Sequence, residues 1–187
     1  MKRYPVISCV LLILSLFFYG CGGSGSTDSL TTGTTAQVSA TVKDGEPLAV
    51  FSAYSSGTFT PAITSFTLDN NAVSGAVNPS PVTITNISVK YDALEYDSTQ
   101  HLTSPVISTV YQISGISGRI DPNGTIDIDN MPIFDSFVGV QGIPAVTSLL
   151  DQGEQLRYSA KVTFDLNEDF SDTPLHVTVP VLLFLSK

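Results

Sequence analysis

Leu156, Tyr158, Ala160, Val162, Phe164 and Leu166 occupy every second position of residues 155–166, and Arg157, Ser159, Lys161, Thr163 and Asp165 fill the gaps. Side chains alternate between the two faces of a strand but wind around a helix every 3.6 residues. A run this regular therefore reads as a strand with one dry and one wet face. Its dry face has to be covered by a second layer, so the chain must build a two-layer β structure around it.

The rest of the chain supplies the partners. Residues 36–42 alternate in the same way, and 48–54, 62–68, 72–77, 105–113 and 174–185 are further strand candidates. Asp69-Asn70-Asn71 reads as the close of the third of these. Residues 116–120 and 125–128 read as a hairpin. Its turn is Asp121-Pro122-Asn123-Gly124, with Pro at the second position and Gly where positive φ is needed. In 82–91 the apolar phase slips, since Val82 and Ile84 are even whereas Ile87, Val89 and Tyr91 are odd. One extra residue near Thr85-Asn86 restores a common face, which predicts a β-bulge there. Residues 131–153 lose the alternation, with a helical turn expected at 145–150. In the last strand Pro180 cannot donate to a ladder, which predicts an edge or bulge position. These strands, set between Gly, Pro and Asn turns, predict an all-β domain. It resembles an immunoglobulin-like β-sandwich of about seven to nine strands, without that family's Cys pair and core Trp.

The N-terminus carries an address. Met1-Lys2-Arg3 is basic, Val6 to Tyr19 is almost wholly apolar, and Gly20-Cys21 follows. The apolar run falls short of the roughly 20 residues that span a bilayer as a helix, and the layout is that of an export signal. Gly20-Cys21 behind such a run resembles the lipobox of bacterial lipoproteins. The resemblance implies cleavage after residue 20, acyl chains such as palmitate on Cys21, and outer-membrane sorting, because Gly22 and not Asp follows. Cys9 would leave with the signal, so the remaining cysteine is the lipidated one. Residues 22–35, GGSGSTDSLTTGTT, hold a single large apolar residue, Leu30. Such a segment buries too little surface to order itself and reads as a flexible tether reaching roughly 20 Å. The organisation expected is thus signal 1–20, tether 21–35 and β-sandwich 36–187. The strand Leu156-Arg157-Tyr158-x-x-Lys161-Val162-Thr163-Phe164 also resembles those of envelope-attached β-sandwich lipoproteins, a likeness that implies location and no activity.

The chain has 8 basic and 17 acidic residues, and losing the signal leaves 6 basic ones. A surface this acidic repels nucleic acid and anionic headgroups, so membrane attachment has to come from acyl chains. No H-E-x-x-H, P-loop or G-x-S-x-G elbow is present, which predicts a non-enzymatic protein with no cofactor and no catalytic residue.

Two stretches invite a calcium reading. Asp121-x-Asn123-x-x-x-Asp127 echoes the middle of an EF-hand loop, but Arg119 would stand at the first ligand position and Asn130 at the last, so that motif fails. What remains is an irregular oxygen cage at Asp121, Asp127 and Asp129, and a second at Asp165, Asn167 and Asp169. Ordinary acidic turns account for both as well. His101 and His176 stand in no metal motif and read as surface or structural side chains.

The sequence therefore supports a lipid-anchored cell-envelope β-sandwich, acting as a structural or protein-interaction accessory subunit with an envelope protein as partner. The alternative is a ligand-binding module for calcium or for polysaccharide, the latter using Tyr54, Tyr91, Tyr96, Tyr111 and Tyr158 in place of Trp. A hydrolase ranks third.

Overall fold

The computed structural model describes residues 24–26, 34–138 and 143–187, the first three as backbone. The signal expected at 1–20 and the lipidation expected at Cys21 lie outside the described residues. Among the described residues, thirteen strands follow in chain order: β1 Ser24–Ser26, β2 Ala36–Val42, β3 Ala49–Ser55, β4 Thr58–Phe59, β5 Ala62–Ala72, β6 Val82–Ala93, β7 Glu95–Asp97, β8 Leu102–Thr103, β9 Tyr111–Ile113, β10 Arg119–Ile120, β11 Gly124–Phe134, β12 Leu156–Glu168 and β13 Pro174–Ser186. A short helix, α1 (Pro144–Asp151), opens on Pro144, whose fixed φ suits a first helical position, and buries Val146 and Leu150.

A small sheet runs β1-β2-β5-β11, and a larger one runs β10-β6-β12-β13-β3-β4 with β9 beside β6. β2, β5 and β11 facing β6, β12 and β13 is the immunoglobulin-like arrangement of strands A, B and E opposite C, F and G. After β2 the chain crosses to the larger sheet, where β3 pairs parallel with the last strand, Phe51 opposite Phe184. β7 and β8 form a separate hairpin at the end of β6.

β12 lies where the alternation requires. All six of its apolar residues are buried, and each of them is at most 1% exposed. Burying a large apolar side chain contributes roughly 1.5–3 kcal/mol, so this strand and the facing residues of β13 (Leu175, Val177, Val179, Val181, Leu183, Leu185) form the main body of the core. Phe164 reaches across the sandwich to Phe66 edge-on, with centroids 5.4 Å apart. Tyr91 and Phe59 both set their rings edge-on to Phe134. The bulge in β6 falls at Thr85: Asn86 pairs with Asp165 and Ile84 with Leu166, so Thr85 is the extra residue. Its hydroxyl donates back to the Asp165 carbonyl at 3.0 Å.

Several expectations are corrected. β5 runs through Asp69-Asn70-Asn71 to Ala72, because Asn70 turns inward and its amide donates to the carbonyls of Ser80 and Ile120. A turn-forming residue stays in a strand when the interior supplies its partners. Residues 72–77 accordingly hold turns and no strand beyond Ala72, and the strand candidates at 105–113 and 116–120 shrink to β9 and β10. The Asp121–Gly124 turn joins no hairpin: β10 pairs with β6 and β11 with β5, so the chain crosses there from one sheet to the other. The positive φ sits at Asn123. Gly124 is needed because a Cβ there would lie 2.8 Å from the Asp121 carbonyl oxygen.

Pro180 lies on β13 just before β3 begins to pair, at Leu182 with Ala49. The Leu182 amide donates to Leu48 on that side. Strand alternation puts the Pro180 nitrogen on the same side, where no ladder is required of it.

Candidate interaction surface

Where the chain joins the sandwich, a buried carboxylate takes hold of it. Glu168, 1% exposed, accepts the backbone N–H groups of Thr35 and Ala36, each at 2.7 Å, and the hydroxyl of Ser171. The Thr35 hydroxyl in turn accepts the Ser80 amide at 2.9 Å. Thr35 is thereby held to the sandwich. Ser24–Ser26, within the same Gly/Ser-rich stretch, pairs antiparallel with β2, Gly25 opposite Ala40. Such a segment has little to bury, but a sheet edge offers backbone hydrogen bonds that need no side chain. Composition conceals both features, because Glu168 sits in an acidic turn that reads as solvated.

The wet face of the small sheet is a closed set of ion pairs and hydroxyl bonds. Thr41, Thr67 and Asp127 stand in one cross-strand row, and Ser39, Asp69 and Thr125 in the next. Lys43 extends its ammonium between two carboxylates, 2.7 Å from Asp127 and 2.8 Å from Asp129. Thr67 donates to Asp127 and Thr125 to Asp69. The bonds from Lys43 and Thr67 hold the Asp127 carboxyl below the usual carboxylate range, and those from Asp127 and Asp129 raise the Lys43 ammonium.

This is where the first calcium candidates fall, and they do not converge. Lys43 stands between Asp127 and Asp129, and Asp121 turns instead to Arg119 at 3.4 Å. The second set disperses too. Asp165 binds His176 and Asn86, Asn167 donates to Asp172, and Asp169 accepts Thr83 and Arg119, which lower its pKa. Among the described residues, no three His, Cys, Asp or Glu side chains are grouped to hold a metal ion. His176 and His101 are exposed, each beside a carboxylate, Asp165 and Glu95 respectively.

The tyrosines offered for sugar stacking are largely committed elsewhere. Tyr91 and Tyr158 are buried and donate their hydroxyls to the carbonyls of Ile133 and Pro105, and burial pushes both phenols up. Tyr111 donates to Asp135 at 2.8 Å. Burial, then that carboxylate, pushes its phenol up to about 12.

An exposed aromatic pair lies on the wet face of the large sheet. Phe51 is 61% exposed and stacks on Phe184, with centroids 5.0 Å apart and planes 12° from parallel. The Arg157 guanidinium lies 5.8 Å from the Phe184 ring on its other flank. Register makes this a row, Arg157–Phe184–Phe51, followed by Ser159–Leu182–Ala49 and then by Lys90–Lys161–Pro180. Leu48, Leu94, Pro180 and Leu182 line a shallow apolar depression alongside. Further along the same strands the face becomes polar, with Thr163 against Thr178 and Asp165 against His176. Sequence reading missed this row because Phe51 and Phe184 are 133 positions apart and meet through the parallel β3–β13 pairing, which no local pattern announces.

No protein-family model matches the chain, and no curated protein matches its sequence.

Proposed function

We propose that this chain is a lipid-anchored cell-envelope protein, attached through Cys21 at the outer membrane, and that it works without catalysis as an accessory subunit binding another envelope protein. The export signal and Gly20-Cys21 support the address. The observation that carries the interaction reading is the Phe51–Phe184 stack, flanked by Arg157 and left open on a sheet face. Exposed aromatic and arginine side chains beside an apolar depression are the usual centre of a protein–protein contact. The Lys43–Asp127–Asp129 set, whose charges answer one another, is the weaker choice of docking face.

Intact mass of the protein from native membranes, beside Cys21→Ala, tests the address. Loss of residues 1–20 with a gain of acyl mass, absent in the variant, is the expected result. An unacylated mature chain would remove the tethered-subunit reading. Affinity capture from the same membranes then tests the partner: a stoichiometric protein lost on Phe51→Ser is expected, and capture indifferent to Phe51 would contradict the assigned face.

A further inference from the structure

We infer that the partner presents an acidic, apolar-bearing segment to the Phe51–Phe184 face; this rests on the interaction reading above and specifies its chemistry. Six basic residues follow Cys21. Four of them are answered within the chain: Lys43 by Asp127 and Asp129, Arg119 by Asp169, Lys187 by Asp151 and Lys161 by Asp92. Lys90, Arg157 and Lys161 all lie on the aromatic half of the large sheet. Of these, Lys161 holds Asp92 at 2.5 Å. Lys90 and Arg157 are the two cations that no carboxylate approaches within ion-pair distance among the described residues.

This is a local excess of positive charge on a chain whose net charge is −9. Lys90 and Lys161 also stand directly opposite each other across the β6–β12 pair. Like charges so placed repel; Asp92 answers Lys161, which leaves Lys90 for an incoming carboxylate. The apolar depression of Leu48, Leu94, Pro180 and Leu182 lies within the same face, bordered by Phe184. It offers a seat for an apolar side chain, with cations around it to receive acids. Charge complementarity of this kind sets partner choice and encounter rate. A concave apolar seat within the cationic rim favours a protein segment over an anionic lipid surface, which would ask for a flat or convex contact.

The test uses the full lipidated chain in neutral-lipid nanodiscs and a fluorescent peptide of alternating Glu and Leu, with its Lys-for-Glu counterpart as control. The acidic peptide is expected to bind, weaken as salt rises, and lose about tenfold or more in affinity on Phe51→Ser and on Arg157→Ala. Lys43→Ala removes the same charge from the other sheet and is expected to change affinity less than about twofold. Equal binding of the basic peptide, or an equal loss with Lys43→Ala, would overturn the inference. So would Phe51-dependent binding to anionic vesicles in place of the peptide, or concentration-dependent self-association removed by Arg157→Glu. If Phe51→Ser abolishes capture of a membrane protein while the acidic peptide fails to bind, the interaction reading stands and the acidic partner falls. If capture ignores Phe51, both fall.

Discussion

The two outer faces of this sandwich are built from the same alternation and end up with opposite needs. On the small sheet, Lys43 bridges Asp127 and Asp129, Thr67 donates to Asp127, and Thr125 donates to Asp69. On the aromatic half of the large sheet, Phe51 is open, Arg157 rests on a ring, and Lys90 faces Lys161. On one face the cation is held between carboxylates of the same sheet and hydroxyls donate to the acids. The other leaves cations and aromatic area to be answered from outside. The contrast shows that a wet face read from period two alone says which side chains meet solvent and not whether they are content there.

Substitutions can break or sharpen that comparison. The largest effect should come from the core that both faces share. Phe164→Ala removes the ring that meets Phe66 across the sandwich and should cost about 3–5 kcal/mol in urea unfolding, affecting the two faces together. Retention of one sheet while the other melts would deny that they form a single core.

Glu168→Ala comes next. It leaves the Thr35 and Ala36 amides buried without their carboxylate and should cost roughly 1–3 kcal/mol. Hydrogen exchange should accelerate first at those two amides, and uniform acceleration would argue against a local clasp.

The small sheet's face should carry an acid dependence. Asp127 has a folded pKa below its ordinary value, so its contribution is present above the normal carboxylate range and is lost as pH falls through the lowered value. Lys43 is raised, so its contribution is full below the ordinary lysine pKa and is lost only as strongly alkaline pH passes the raised value. Melting followed from pH 6 down to pH 2 should fall less steeply in Asp127→Asn than in the unaltered chain. Superimposable profiles would mean the ion set contributes nothing. The smallest effect is expected at Phe51→Ser, within about 0.5 kcal/mol, because most of that ring already faces water. A large loss of stability there would make Phe51 a packing residue and weaken its assignment to binding.

Much of the fold was legible because burial imposes period two. β12 followed from alternation alone, and the Thr85 bulge followed from a phase slip that one face cannot otherwise absorb. What misled was local turn chemistry. Asp69-Asn70-Asn71 has the composition of a turn, yet two distant carbonyls draw the Asn70 amide inward. Asp121-Pro122-Asn123-Gly124 does make a turn, but it hands the chain to the opposite sheet, and turn residues do not encode which partner the next strand finds. The interaction face was hidden for the same reason. Leu182 and Phe184 stand in an apolar run whose local pattern does not announce the open aromatic row they border. Carboxylate spacing left turns and calcium both open at Asp127 and Asp129, and the fold sends Lys43 between the two.

The most direct test places a photo-crosslinking amino acid at position 51 and, separately, at position 67, in cells expressing the full chain. The account predicts a discrete adduct with an envelope protein from position 51 and none from position 67. An adduct from position 67 alone, or none from either, would contradict the assignment of the large sheet's aromatic face as the one that meets a partner.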